Sequence, residues 1–132
     1  MSALELREII TLLIRIVNKE IDLKKLKEEV SPNEDRSLLF RIVDDNYSCG
    51  FVVDMSGLNP SIRIEKHLET PTVIVSMNKD TFFDIIEGKT TFAIGFCTGK
   101  IQLSGEHRLR DYIIFKNLEG ILRQKLLTKV GS

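Results

Sequence analysis

Carboxylates one helical turn apart can work as an acid–base pair, and Asp80 and Asp84 stand at that i, i+4 spacing. Nothing beside them completes a site. The two histidines, His67 and His107, fall in or beside turns and lack the H-E-x-x-H or C-x-x-C partners that hold a metal. No serine or cysteine comes with a base and a third orienting group in a local motif. The glycines do not follow the G-x-x-x-x-G-K-[ST] or G-x-G-x-x-G spacing that cradles phosphate. Asp80 therefore reads as a first-turn charge and Asp84 as a solvent-facing or capping carboxylate. None of Asp80, Asp84, His67 and His107 is expected to carry catalysis, no metal or cofactor is implied, and the chain reads as a non-enzyme. Cys49 and Cys97 are too few for a disulfide framework and read as buried thiols acting as small hydrophobes.

Apolar residues offer a stronger lead. Phe82, Phe83, Phe92 and Phe96 crowd into a short stretch of a chain that holds only seven Phe and two Tyr. Phe82 and Ile86 are one helical turn apart, and Phe96 repeats the pattern further on. Such a set either fills a close-packed core or lines an apolar pocket, and spacing does not separate the two. Lys89, Lys100, Arg108 and Arg110 could supply a polar mouth to a pocket, although each also reads as ordinary surface charge.

These residues lie in the stretch Thr70 to Gly105, which reads as strand, helix, glycine, helix, glycine, strand. Thr72 to Met77 is a β-branched run suited to a buried strand. Asn78 is a natural N-cap, and Gly88 ends the helix that follows where a left-handed residue is needed. Thr90 or Thr91 caps a second short helix that Gly99 closes, and Lys100 to Gly105 returns as a strand. Upstream, Ser2 and Glu5 have capping-box spacing before Leu6, Ile9, Ile10, Leu13, Ile16 and Val17, which predicts an amphipathic helix from Ala3 to Asn18. Glu20 to Val30 is helical in propensity with Asp22 as its cap, and Pro32 to Asp35 breaks it. Strands are predicted to begin near Leu38, Ser48, Ile62, Thr72 and Lys100. Helices are predicted at Lys79–Glu87, Thr91–Thr98 and Glu106–Leu126, the last with a break near Asn117.

The whole chain of 132 residues fits one domain with one core. Lys plus Arg equals Asp plus Glu at 19 each, so no bulk field draws nucleic acid. The longest apolar patch, Ile9 to Ile14, is too short to span a bilayer, and charges through Glu5, Arg7 and Glu8 do not make a signal peptide. A soluble, cytoplasmic protein without stable membrane insertion is the expectation.

The ordered set Thr72-Val73-Ile74-Val75, Asp80 through Lys89, and Phe96-Cys97-Thr98-Gly99-Lys100-Ile101-Gln102-Leu103-Ser104-Gly105 resembles the sterol carrier protein type-two family. The resemblance implies an α/β (α+β) fold, a five-stranded, mostly antiparallel sheet covered by helices with an apolar tunnel between the layers. It implies a single lipid-binding domain over residues 1–132, with a helical segment at 1–30 and the family core at 37–126. Phe82, Phe83, Ile86, Phe92, Phe96, Val73, Val75, Ile101, Leu103 and Ile113 would line the tunnel, with Lys89, Lys100, Arg108 and Arg110 towards a headgroup. The ligand would be a fatty acid, acyl-CoA thioester, sterol or other lipid, with no catalytic residues and with a homodimer compatible. The alternative is a non-catalytic accessory or dimerisation module for an enzyme. Gly95 departs from the alanine common in the family, which is expected to loosen its helix. Glu106 replaces the usual aspartate or asparagine, and Val130-Gly131-Ser132 is not the peroxisomal address of many members.

Overall fold

Alternation along Ser37–Asp44 sends Leu38, Phe40 and Ile42 to one side of a strand, where all three are buried. The computed structural model, which describes residues 3–45, 47–65 and 70–126, builds a sheet around that strand. In chain order the helices Ala3–Glu20 (α1) and Leu23–Val30 (α2) lead into the strands Ser37–Asp44 (β1), Tyr47–Asp54 (β2), Ser61–Ile64 (β3) and Val73–Asn78 (β4). Helices Lys79–Ile86 (α3) and Phe92–Cys97 (α4) then precede the strand Ile101–Gly105 (β5). A 3₁₀ turn at Leu109–Asp111 opens the last helix, Tyr112–Ile121 (α5), and a π-helical turn at Leu122–Leu126 closes it.

The strand order is β3-β2-β1-β4-β5. Three of the neighbouring pairs are antiparallel, while β1 and β4 run parallel at the centre, pairing Leu38 with Val73, Phe40 with Val75 and Ile42 with Met77. The sheet is thus mixed. Helices cover the face that carries Phe40, Phe51, Val53 and Val75. The opposite face carries ion pairs, Arg41 with Glu65 at 3.8 Å and Arg63 with Asp54 at 2.9 Å.

Local signals in the chain set the element ends. Asp22 accepts from the Lys25 N–H, Asn78 from Thr81 and Thr91 from Ile94, each capping the helix that follows. Gly88 and Gly99 have φ of +77° and +78°, the left-handed conformation a helix end asks for. Each strand begins within one residue of its expected start. The Ser2–Glu5 capping box and His67 lie outside the residues whose side chains are described.

Four expectations need correction. The closing helix does not start at Glu106, because the Asp111 carboxylate turns back to take the Arg108 N–H at 3.0 Å and the Arg36 Nη2 at 2.7 Å, which starts the coil there. No break occurs at Asn117, whose side-chain amide donates to the Ile113 carbonyl inside the helix; the irregular turn comes at Leu122 instead. Cys97 is exposed and Cys49 only half-buried. Phe92, Gly95 and Phe96 occupy the inner side of α4, so Ile94 and Cys97 face out. Gly95 packs α4 closely: a Cβ there would stand 2.3 Å from Ile101 Cδ1, so glycine is what lets the helix lie against β5.

Candidate functional site

Phenylalanines from four elements meet between the sheet and α5. Phe40 on β1 and Phe51 on β2 stack with ring centres 4.8 Å apart and planes 3° from parallel. Their positions are set by register, since the two residues pair directly across the hairpin. Phe115 stands edge-on to Phe40 at 5.8 Å, and Phe92 does the same at 6.2 Å. Phe96 joins from the far end of α4, 5.0 Å from Phe115 and 6.3 Å from Phe92. Edge-to-face and offset rings of this kind add about 0.5–1.5 kcal/mol per pair beyond the area they bury.

The expected lining residues are distributed unevenly over this interior. Val73, Val75, Phe82, Ile86, Phe92 and Ile101 are buried in the core, while Phe83, Phe96, Leu103 and Ile113 are half-buried at its margin. Phe82 contacts Phe83 at 6.0 Å in a second aromatic pair on α3. The rings of α4 meet those of α5 and β1 instead. Sequence reasoning did not single out Phe40, Phe51 or Phe115. Their signal was present only as an aromatic at an inward position of each element, which also describes any core residue.

An enclosed apolar cavity lies between α1, α2, α5 and strands β2–β3, lined by Val17, Ile21, Leu26, Val53, Ile62 and Leu118 among others. Its volume is about 10 Å³, room for no more than one water molecule, and none of the expected lining residues borders it.

Lys100 precedes β5 while Arg108 and Arg110 follow it, so the length of a strand separates them. Arg108 is engaged with Glu34 at 3.1 Å, an ion pair that holds the Glu34 carboxyl below its usual range. Lys89 pairs with Glu87 at 2.7 Å, and that hydrogen bond raises its own pKa.

Three buried charged side chains escaped sequence reasoning. Arg36 and Asp111, 4% and 1% exposed, form an ion pair at 2.7 Å that ties the start of β1 to the start of α5. Glu119, 4% exposed, reaches across from α5 and accepts the Phe92 N–H at 2.7 Å. One turn later, Arg123 Nη2 donates to the Thr90 carbonyl at 2.9 Å. Glu119 and Arg123 interrupt an apolar stripe of Phe115, Leu118 and Leu122, and a charge pair on such a stripe is the sign that could have found them.

Asp80 is exposed in the first turn of α3, Asp84 is half-buried and His107 is exposed. Several shifted groups lie at the β1–β2 hairpin: the Asp45 N–H and then Lys79 lower the Asp44 pKa, and burial raises that of Tyr47. Burial also pushes the Cys49 thiol up, away from nucleophilic thiolate. Among the described residues, no group of three or more His, Cys, Asp or Glu is placed to hold a metal ion, and no helix is long and apolar enough to cross a membrane.

No family model matches the chain, and no curated protein matches it significantly. Its fold, however, is that of sterol carrier protein 2. Apo sterol carrier protein 2 of Yarrowia lipolytica superposes with a TM-score of 0.60 at 14% identity, over 89% of this chain and 91% of that one. Palmitated SCP2L2 of Aedes aegypti gives 0.57 at 17% identity, over 92% and 95%. The same fold also occurs inside a larger enzyme. The sec-alkylsulfatase Pisa1 of a Pseudomonas species matches at 0.53 and 15% identity, with 86% of this chain covering 16% of that one.

Proposed function

We propose that this protein is a small lipid-binding carrier that performs no chemistry of its own and shelters a fatty-acyl, sterol-like or isoprenoid chain between its sheet and helices. The observation that carries the reading is the phenylalanine cluster of Phe40, Phe51, Phe92, Phe96 and Phe115, set in a fold shared with sterol carrier protein 2. The palmitate of the Aedes aegypti structure supports a fatty-acyl ligand in particular. Each exposed CH₂ of an acyl chain costs about 0.8 kcal/mol in water, so a carrier must enclose the chain. Binding sites for such ligands occupy about 300–1,000 Å³, far more than the enclosed cavity of about 10 Å³. In this reading uptake therefore requires the rings at the margin, Phe96 and Phe83, to turn outward and the helix layer to part. A cytoplasmic location fits a carrier between membranes.

The test combines mass spectrometry of an organic extract of gently purified protein with titration by a fluorescent fatty acid. Co-purifying lipid and saturable binding are expected. A lipid-free extract together with no saturable binding overturns the proposal.

A second reading is favoured by the alkylsulfatase comparison, in which this fold forms a minor part of a large enzyme. As an accessory or dimerisation module, the domain would keep its interior filled and work through its surface. Stable self-association or stoichiometric binding to an enzyme, with no lipid uptake, would favour it.

A further inference from the structure

We infer that Glu119 and Arg123 are positioning residues that latch α4 over the aromatic interior, and that their release admits the ligand. The inference rests on the lipid-binding reading above and specifies where the interior opens.

Helix α4 is short and partly exposed. It is six residues long, too short to be stable alone, and Gly88 and Gly99 bracket it in the left-handed conformation. Ile94, midway along it, is 52% exposed. Its inner residues Phe92 and Phe96 both contact Phe115 of α5, at 5.4 Å and 5.0 Å. Moving α4 away from α5 therefore exposes the cluster from one side while the β1–β2 stack of Phe40 on Phe51 stays in place.

Two hydrogen bonds, one from α5 and one from the π-helical turn after it, oppose that movement. The Glu119 carboxylate takes the Phe92 N–H, one of the donors that a helix start leaves without a partner. Arg123 takes the Thr90 carbonyl, two residues earlier on the connection from α3. Both bonds join a side chain of the closing helical segment to backbone at the start of α4 or just before it, so they depend on the position of that backbone and not on its side chains. Arg123 lies in the π-helical turn, a geometry that recurs at functional positions. Its Nε is buried with no partner among the described residues. Opening α4 brings that donor to water, which partly offsets the two bonds lost. A latch so balanced holds at rest and yields to a ligand that replaces the buried apolar contacts.

The experiment uses the full chain with Glu119→Ala, Arg123→Met and the conservative Glu119→Gln, which keeps a carbonyl acceptor for Phe92. Amide hydrogen exchange is followed across Thr90–Thr98, and stopped-flow uptake and release are measured with a fluorescent fatty acid. Loss of one bond should speed exchange in that segment about tenfold while β1 and β4 stay protected, and should raise uptake and release rates by similar factors. Glu119→Gln should restore most of the wild-type behaviour. Exchange unchanged in Thr90–Thr98, or raised equally throughout the chain, overturns the latch. So does a loss of affinity with uptake and release rates otherwise unaltered. Wild-type protein that takes up no fatty acid defeats the carrier reading, and selective exchange at Thr90–Thr98 then decides the latch alone. Should Glu119→Ala not fold, Arg123→Met, at a half-buried position, carries the same exchange criterion.

Discussion

Two buried acidic side chains of the same closing segment fasten different parts of the molecule, and they do it with different strength. Asp111 holds a fully buried arginine and the Arg108 N–H, tying the β1 start to the α5 start beside the long central strands. Glu119 holds one backbone N–H of a six-residue helix between two glycines. Around Asp111 the sheet supplies paired backbone along β1 and β4 and a core of Leu38, Val73 and Val75. Around Glu119 the support is aromatic contact and a second single bond from Arg123. A charge pair inside a cooperative frame resists removal, whereas a lone bond on a short element sets how readily that element moves.

Breaking the frame should have the largest effect. Asp111→Ala leaves Arg36 as a buried charge without its partner, and a loss of about 3–5 kcal/mol in unfolding free energy is expected from urea denaturation. A loss below about 1 kcal/mol would mean that the two ends are fastened alike.

Ring enlargement gives a second contrast. Phe40→Trp overpacks the β1–β2 stack and should cost about 1–3 kcal/mol, read from thermal and urea unfolding. Phe96 sits half-buried on the movable helix, so Phe96→Trp should fall below about 1 kcal/mol, beneath the overpacking range, and block fatty-acid uptake. Equal costs at both positions would erase the distinction between frame and cover.

The caps sharpen it further. Asn78→Ala and Thr91→Ala each remove a side-chain acceptor from a helix start, worth about 1 kcal/mol. The loss at Asn78, which joins β4 to α3, should appear in global stability. At Thr91 it should appear mainly as faster amide exchange within Phe92–Cys97. The opposite assignment would place the mobile element at α3.

The smallest effect concerns pH. The Asp45 N–H and Lys79 lower the Asp44 pKa in the folded state below its ordinary value. Its contribution to stability is therefore present above the ordinary aspartate pKa and is lost as pH falls through the lowered one. An NMR titration should find Asp44 below an unperturbed aspartate, and Asp44→Asn should flatten the acid limb of the melting curve slightly. An unshifted Asp44 would remove this link at the hairpin.

The candidate site was only partly legible beforehand. Phe92 and Phe96 declared themselves through their spacing on a capped helix, and they do enter the cluster. Phe82 and Ile86 showed the same spacing and are as buried, yet Phe82 pairs with Phe83 in a separate contact. Helical period says which side of an element is apolar, and says nothing of which other element that side meets. Lys100 and Arg110 both read as candidates for a polar mouth, but they flank β5 at opposite ends, and a strand carries its two flanks apart.

By itself the sequence determined what depends on a few adjacent residues: the caps at Asp22, Asn78 and Thr91, the left-handed glycines, the strand starts and the inward side of each element. These follow from local hydrogen bonds and sterics that act in any context. Tertiary structure alone decided that β1 runs beside β4, that Phe40, Phe51 and Phe115 complete the ring cluster, and that Arg36 finds Asp111 across 75 positions. It also decided that Glu119 and Arg123 bond to backbone at the start of α4 and just before it. A polar group is buried only where a partner from a distant segment compensates its lost water, and the position of that partner is a property of the folded chain.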